Sequence, residues 1–93
     1  MATEMSFAAN KLRHDNHTPP TTVALRTFTV PANVMIFRNL DASITEYISF
    51  DGTNFFTILA GQSLSIEGSK QINYYSKAAS GTPSMEVLYG SEK

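Results

Sequence analysis

Cysteine is absent from the sequence, and this absence removes two ways to stabilise a small fold. A chain of 93 residues forms one domain, which buries only about 60% of the surface that its unfolded form exposes. Without cysteine, neither a disulfide bond nor a thiolate metal site can add stability. Contacts between molecules are then the remaining source of additional buried area.

The sequence also lacks a large excess of positive or negative charge, and it has no long apolar run. Seven Lys and Arg residues stand against eight Asp and Glu residues, a net charge of -1, and the charges are spread singly along the chain. Nucleic-acid binding requires a basic patch or stripe. No apolar run has the length of a signal-peptide core or of a membrane span of about 20 residues. We therefore expect neither nucleic acid nor a membrane as partner, and a protein that is made and kept, or assembled, in the cytoplasm.

The first 22 residues differ in composition from the rest. They contain both histidines, the adjacent prolines Pro19 and Pro20, and only scattered apolar side chains. Two consecutive prolines are incompatible with a helix interior or a central strand. We predict an extended N-terminal arm over residues 1–22 and a β domain over residues 23–93.

From residue 23 onward, short runs rich in β-branched and aromatic residues are typical of strands. Segments with turn compositions, such as AGQS and ASGTP, separate these runs. The predicted strands cover residues 23–30, where Pro31 closes the run, and residues 34–39, 44–50, 55–59, 64–67, 72–77 and 84–89. The pattern predicts an all-β fold: a small antiparallel β-sandwich or jelly-roll-like barrel of about seven strands.

One turn has a particularly clear signature. The tetrapeptide Asp-Gly-Thr-Asn, which begins at Asp51, links two apolar runs. The Asp51 carboxylate can accept hydrogen bonds from backbone amides at a turn start, and Gly52 can adopt a positive φ at little cost. We predict a tight reversal here, with Phe50 packed across the pair against Phe55 or Phe56.

The residues that carry chemistry do not form a recognisable catalytic or metal motif. Both histidines, His14 and His17, lie in the predicted arm and neither is near a patterned site, so a hydrolytic triad is not indicated. His14, Asp15 and His17 have metal-binding side chains, but a segment beside two prolines supplies no rigid ligand geometry. We assign no catalytic residue, no metal ligand and no cofactor.

Glu46 is an acidic residue whose position conflicts with the strand pattern. It shares its side of the predicted strand with Ile44 and Ile48. We interpret it as a strand end, an edge position or a bulge, in preference to a buried catalytic acid.

Aromatic residues are abundant for a domain of this size: six Phe and four Tyr. The neighbours Tyr74 and Tyr75 must point to opposite faces of a strand, so one ring faces outward. Outward rings act as anchors in protein interfaces or as stacking platforms for sugars. We favour a protein interface, with a carbohydrate-binding module that uses Tyr47, Tyr74 or Tyr75 as the alternative.

Five segments between residues 39 and 88 form a further pattern of turns and strands, namely 39–41, 48–56, 59–66, 72–81 and 85–88. This pattern resembles small virion proteins of tailed bacteriophages. The resemblance implies a non-enzymatic component that is present in many copies, such as a capsid decoration or cement protein that stabilises the shell, or a small neck or tail protein. It also implies location in the virion after synthesis in the cytoplasm of the bacterial host.

The implied partners are the major capsid protein or another virion protein, and copies of the chain itself in a trimer or higher ring. Twenty extended residues reach up to about 70 Å, so the predicted arm is long enough to lie across adjoining subunits. The predicted interface residues are Phe7, Leu12, Arg13, His14, His17, Pro19, Pro20, Tyr47, Phe55 and Tyr75.

Overall fold

The computed structural model describes residues 13–91. Within these residues the chain forms strands and no helix. The strands are β1 (Arg13–His17), β2 (Ala24–Asn39), β3 (Glu46–Ser49), β4 (Phe56–Ile58), β5 (Ser63–Ala78) and β6 (Met85–Gly90). They form one sheet in the order β1-β6-β2-β5-β3-β4, and every pair is antiparallel. The predicted all-β antiparallel fold is confirmed.

Two strands of 16 residues each, β2 and β5, replace four of the shorter predicted strands. The pairing of β2 with β5 shifts register on both sides of Ala32, which is the signature of a bulge that bends the strands. Pro31 was predicted to end a strand, but it lies inside β2 at this irregularity. Proline is tolerated there because a bulge does not require every amide to pair. The sheet therefore contains six strands.

β1 lies within the segment that was predicted to be an arm. It pairs along its whole length with β6, and the carbonyl of Pro20 then accepts a hydrogen bond from the Ala78 amide at 2.8 Å. Residues 13–20 are thus part of the compact fold. Their polar sequence gives no strand signal. These residues form a strand because they pair with β6, which supplies the apolar side chains. Residues 1–12, where the extended arm remains a prediction, lie outside the described residues.

Side chains from one side of the sheet form an aromatic core. The ring centroid of Tyr74 lies 5.1 Å from that of Phe28 and 5.1 Å from that of Phe37, and Tyr89 lies 4.5 Å from Phe28. Such tilted and edge-on contacts are the favoured geometries of aromatic pairs. The buried cluster comprises Phe28, Ala32, Met35, Phe37, Ile48, Ile58, Tyr74, Met85, Val87 and Tyr89.

The reversal that begins at Asp51 has the predicted form. One carboxylate oxygen of Asp51 accepts hydrogen bonds from the amides of Thr53 and Asn54, both at 2.8 Å. These bonds stabilise the charged carboxylate and hold the pKa of Asp51 well below its ordinary value. Phe50 packs against Phe56, with ring centroids 6.4 Å apart.

Candidate interaction surface

Apolar and aromatic side chains gather on the outer side of β2, β5 and β3. The strand register aligns them, because Leu25 lies opposite Tyr75 and Tyr47 lies opposite Lys77. Leu25 is 54% exposed and Val23 is 45% exposed. We call this surface the outer face; it consists of Val23, Leu25, Tyr47, Phe55, Tyr75 and Lys77.

Lys77 links two rings of the outer face. Its ammonium nitrogen lies 5.3 Å from the ring centroid of Tyr47 and 5.1 Å from that of Phe55. A cation at this distance over a ring face is attracted by the negative face of the π system. The interaction restrains both rings before any partner binds, which lowers the entropy cost of forming an interface.

The ring of Tyr75 is supported by the reversal loop. Ser49 donates a hydrogen bond to Asp51 at 2.8 Å and accepts one from the Gly52 amide at 2.9 Å. These bonds hold the loop backbone so close to the ring that a Cβ on Gly52 would lie 3.3 Å from the Cζ atom of Tyr75. The loop therefore covers part of the tyrosine and fixes its position.

A buried polar contact joins β1 to β5. The Nε2 atom of His17 lies 3.1 Å from the hydroxyl oxygen of Ser76. Ser76 is wholly buried, and the nearby Asp15 carboxylate accepts a hydrogen bond from Arg26 at 2.7 Å. Burial, together with the positive charge of Arg26, lowers the pKa of His17 to about 4. The imidazole is therefore neutral at neutral pH and serves the packing of β1.

Glu46 begins β3, which confirms the predicted strand end, and its side chain is wholly buried. Neither carboxyl oxygen has a hydrogen-bonding partner among residues 13–91. Burial, together with the negative charge of Asp41, raises the pKa of Glu46 to about 8. The carboxyl group is therefore protonated at neutral pH, which reduces the cost of placing it in the core.

Tyr74 is only 2% exposed, so its prediction as a sugar-stacking platform is wrong. Its hydroxyl group has no hydrogen-bonding partner within the described part of the chain. Burial raises the pKa of Tyr74 to about 12 against the effect of the nearby Arg26 charge. The alternation of the strand places this ring in the core and leaves its neighbour Tyr75 on the outer face.

Three of the ten predicted interface residues come together in the structure: Tyr47, Phe55 and Tyr75 all belong to the outer face. Phe7 and Leu12 lie outside the described residues. The interface role of these residues remains a prediction, but the convergence of three of them on one surface is a result of the fold.

The other predicted residues among residues 13–91 lie on or beside β1. His14 contacts a Glu86 oxygen at 2.7 Å, while Pro19 is buried and Pro20 is exposed. Arg13 lines a hollow of about 230 Å³. The remaining lining residues of this hollow are Val30, Pro31, Lys70 and Ser91.

Sequence reasoning missed three members of the outer face: Val23, Leu25 and Lys77. A signal was present, because Val23 and Leu25 alternate with Ala24 and Arg26 and so place apolar groups on the side of the strand opposite the core. Lys77 follows Tyr75 by two residues, which puts both side chains on one face of the strand.

Metal-binding groups and membrane-spanning helices were sought among residues 13–91. In that range no group of three or more His, Cys, Asp or Glu side chains could hold a metal ion. None of its segments is a helix of the length and apolarity needed to cross a membrane.

Comparisons with known proteins give little further information. No family model matches the chain, and no curated protein matches it. One solved structure, described as Bacillus endospore appendages that form a family of disulfide-linked pili, is similar over 97% of this chain and 100% of its own chain. The identity is 14% and the TM-score is 0.45, which does not establish a common fold or function. The resemblance to virion proteins of tailed bacteriophages therefore remains a prediction.

Proposed function

We propose that this protein is a non-enzymatic structural subunit that assembles with copies of itself through the outer face. The observation that carries the proposal is the set of apolar and aromatic side chains that three strands and one loop place on the outer face. A surface of aliphatic and aromatic groups with few charges is typical of the buried centre of protein interfaces. Such contacts also add buried area to a small domain without cysteine.

The placement of the reactive side chains supports a non-enzymatic role. A nucleophile or a general base must reach a substrate. His17 contacts the wholly buried Ser76, and Glu46 is wholly buried as well. In the described part of the chain, these side chains contribute to packing and not to an open pocket.

In finer terms, we propose that the assembled subunits decorate the capsid of a tailed bacteriophage. They would bind the major capsid protein as a cement protein that stabilises the shell. A position in the neck or tail is the alternative. The proposal rests on the sequence pattern between residues 39 and 88. The supporting observation is that turn residues of this pattern form hydrogen bonds that hold the fold. Asp51 accepts bonds from the amides of its reversal, and the Asn39 side chain donates to two backbone carbonyls.

A protein partner suits the outer face better than a sugar. A stacking platform requires an open ring face, but Lys77 lies over the ring of Tyr47 and the backbone at Gly52 packs against Tyr75. The third tyrosine of the carbohydrate hypothesis, Tyr74, is buried. The exposed aliphatic neighbours Val23 and Leu25 also favour a dry interface.

The experiment that tests self-assembly is the molecular mass in solution, measured by light scattering over a wide range of protein concentration. The full-length chain should form oligomers, and Leu25→Asp should weaken association at least tenfold because a charge replaces an apolar anchor. The matched control is Thr82→Asp, which adds the same charge at an exposed turn before β6 and should associate normally. A chain that stays monomeric at every concentration, or equal association of the two variants, would overturn the proposal.

The finer proposal has its own test. Mass spectrometry of virions purified from a bacterial culture that carries this sequence should find the chain in many copies per particle. Absence from purified particles would exclude the decoration, neck and tail roles while leaving the self-assembly of the isolated protein unaffected.

A further inference from the structure

The first half of β5 has an open edge. Ser63–Glu67 pair with β2 on one side. On the other side, β3 pairs with β5 only from Tyr75 to Ala78. Over residues 63–70, no strand among residues 13–91 lies along that second side. Unpaired strand edges of this kind are templates for another strand.

The hydrogen-bond pattern shows which backbone groups face the open edge. The Asn39 amide donates to the Gln62 carbonyl at 2.9 Å, and in antiparallel strands hydrogen-bonded and non-hydrogen-bonded pairs alternate. Ser63, Ser65 and Glu67 therefore point their amide and carbonyl groups away from β2. All three residues are exposed, so these groups are accessible to an incoming strand.

The core beside this edge is incompletely covered. Leu64 and Ile66 alternate along β5 with the exposed residues Ser63, Ser65 and Glu67. Both pack against the core but are only partly buried. Phe50 is also partly buried, and its ring lies 6.3 Å from that of Phe37, the residue opposite Leu64. A strand added at the edge would thus gain backbone hydrogen bonds and would bury apolar side chains as well.

We propose that residues 1–12 of a second copy add to this edge as an antiparallel strand. The inference rests on the proposed function, in that the chain assembles with copies of itself. The segment MATEMSFAANKL contains no Pro or Gly, and Met5, Phe7 and Ala9 alternate with polar or small residues. This period of two gives one apolar side, which suits the partly buried Leu64 and Ile66.

The geometry favours a second copy over the segment's own chain. Arg13, the first residue of β1, and Lys70 line one hollow, so β1 begins beside the far end of the open edge. Along its own β5, the segment would run in the same direction as the strand, and parallel pairing is less stable per residue. A second copy can approach in the antiparallel direction. Twelve extended residues span up to about 40 Å, which exceeds the length of about 27 Å for the eight-residue edge.

This strand addition is heterologous, because the donor segment and the acceptor edge are different parts of the surface. Head-to-tail contacts of this type build closed rings or open filaments. A copy with a damaged donor can still accept a strand, and a copy with a damaged edge can still donate one. Mixing two such copies should therefore stop assembly at a pair.

The test uses full-length chains that all carry Leu25→Asp, so that association through the outer face is suppressed. Phe7→Asp damages the donor. Ser65→Pro damages the acceptor, because proline removes an amide that faces the open edge and none that bonds β2. Ser65→Ala, which keeps the amide, is the matched control. Native mass spectrometry with one copy labelled with nitrogen-15 identifies the composition of each complex.

We expect the Leu25→Asp chain and its Ser65→Ala form to retain the weaker oligomerisation that strand addition supports. Each damaged variant alone should associate at least tenfold more weakly, and an equimolar mixture should give mixed dimers. A mixture that remains monomeric, or a Ser65→Pro chain that associates as well as Ser65→Ala, overturns the proposal. Either result leaves the outer-face test intact, because that test compares Leu25→Asp with Thr82→Asp.

A second measurement keeps the conclusion independent of the folding of Ser65→Pro. A synthetic peptide of residues 1–12 with a fluorescent label should bind the Phe7→Asp chain saturably, with its anisotropy increasing on titration. The same peptide with Phe7→Asp should bind at least tenfold more weakly. Equal binding of the two peptides, or no binding by either, contradicts strand addition.

Discussion

His17 contacts Ser76 at 3.1 Å although 59 residues separate them in the chain. This contact joins β1 to β5 and shields part of the imidazole from water, while its Nδ1 atom has no hydrogen-bonding partner among the described residues. The segment that contains both prolines is thereby anchored, and the fold depends on a neutral histidine.

Acidification should destabilise the fold through His17. Its pKa is about 4 in the folded chain and 6.5 in the unfolded chain, so between these values the unfolded state binds more protons. The contribution of His17 to the free energy of unfolding should therefore fall by about 1 to 2 kcal/mol as the pH is lowered from 6.5 to 4, after allowance for partial exposure. Urea titrations at a series of pH values measure this effect. His17→Asn should show a smaller slope across the same interval; an equal slope would contradict the assignment.

Glu46 should produce the opposite pH dependence. Its pKa is about 8 in the folded chain and 4.5 in the unfolded chain, so the folded state binds more protons in this interval. The contribution of Glu46 to the free energy of unfolding should fall as the pH rises from 4.5 to 8 and should change no further above that range. Glu46→Gln should remove this dependence in urea titrations, and Glu46→Met should also raise the free energy of unfolding at pH 8 by about 1 to 3 kcal/mol, because no unpartnered polar group remains. A wild-type profile that follows the Glu46→Gln profile would refute the buried carboxyl.

Gly52 and Gly61 allow the contact with Tyr75 to be separated from backbone strain. Both have positive φ, at 80° and 76°, but a Cβ meets the Tyr75 ring at 3.3 Å only in the first case, and the space around Gly61 is open. Gly61→Ala should cost about 1 kcal/mol from backbone strain alone. Gly52→Ala should cost about 1 kcal/mol more in thermal or urea unfolding, because the loop must move away from the ring. Equal costs for the two substitutions would show that the loop is not packed on Tyr75.

Asn39 should be among the most sensitive polar positions. Its side-chain amide donates to the carbonyls of Ile44 and Ile58 at 2.7 and 2.9 Å, and its oxygen accepts from the Asp41 amide at 2.9 Å. Asn39→Ala leaves these groups without partners and should lower the free energy of unfolding by about 2 to 4 kcal/mol. The control Asn54→Ala removes one exposed hydrogen bond and should cost less than about 0.5 kcal/mol. Similar costs for both would contradict the buried network.

The local features of the fold followed from residue types. Asp51 and Gly52 predicted the reversal because both act within a few residues of the chain. The Asp51 carboxylate bonds nearby amides, and Gly52 has no side chain to oppose a positive φ. Tyr74 and Tyr75 predicted one inward and one outward ring because a strand has a period of two. The sequence did not indicate which ring is buried, since that depends on which side of β5 meets the rest of the sheet.

Features that depend on distant partners were not predictable in this way. The polar segment that forms β1 contains no strand signal, and only its pairing with β6 makes it a strand. The burial of Glu46 and the contact of His17 with Ser76 likewise require elements that are far apart in the chain. Pattern reasoning weighs each segment alone, so it placed His17 in an arm and did not predict the burial of Glu46.

The amino-acid sequence by itself determined that this protein is an antiparallel all-β domain with tight turns and with more aromatic side chains than its core requires. Strand period and turn chemistry are local, so they can be inferred from the sequence. Only the tertiary structure decided which rings form the outer face, which carboxyl and imidazole groups lose their water, and which strand edge stays open. Each of these properties is set by long-range pairing and packing, whose energies depend on residues that the chain brings together only when it folds.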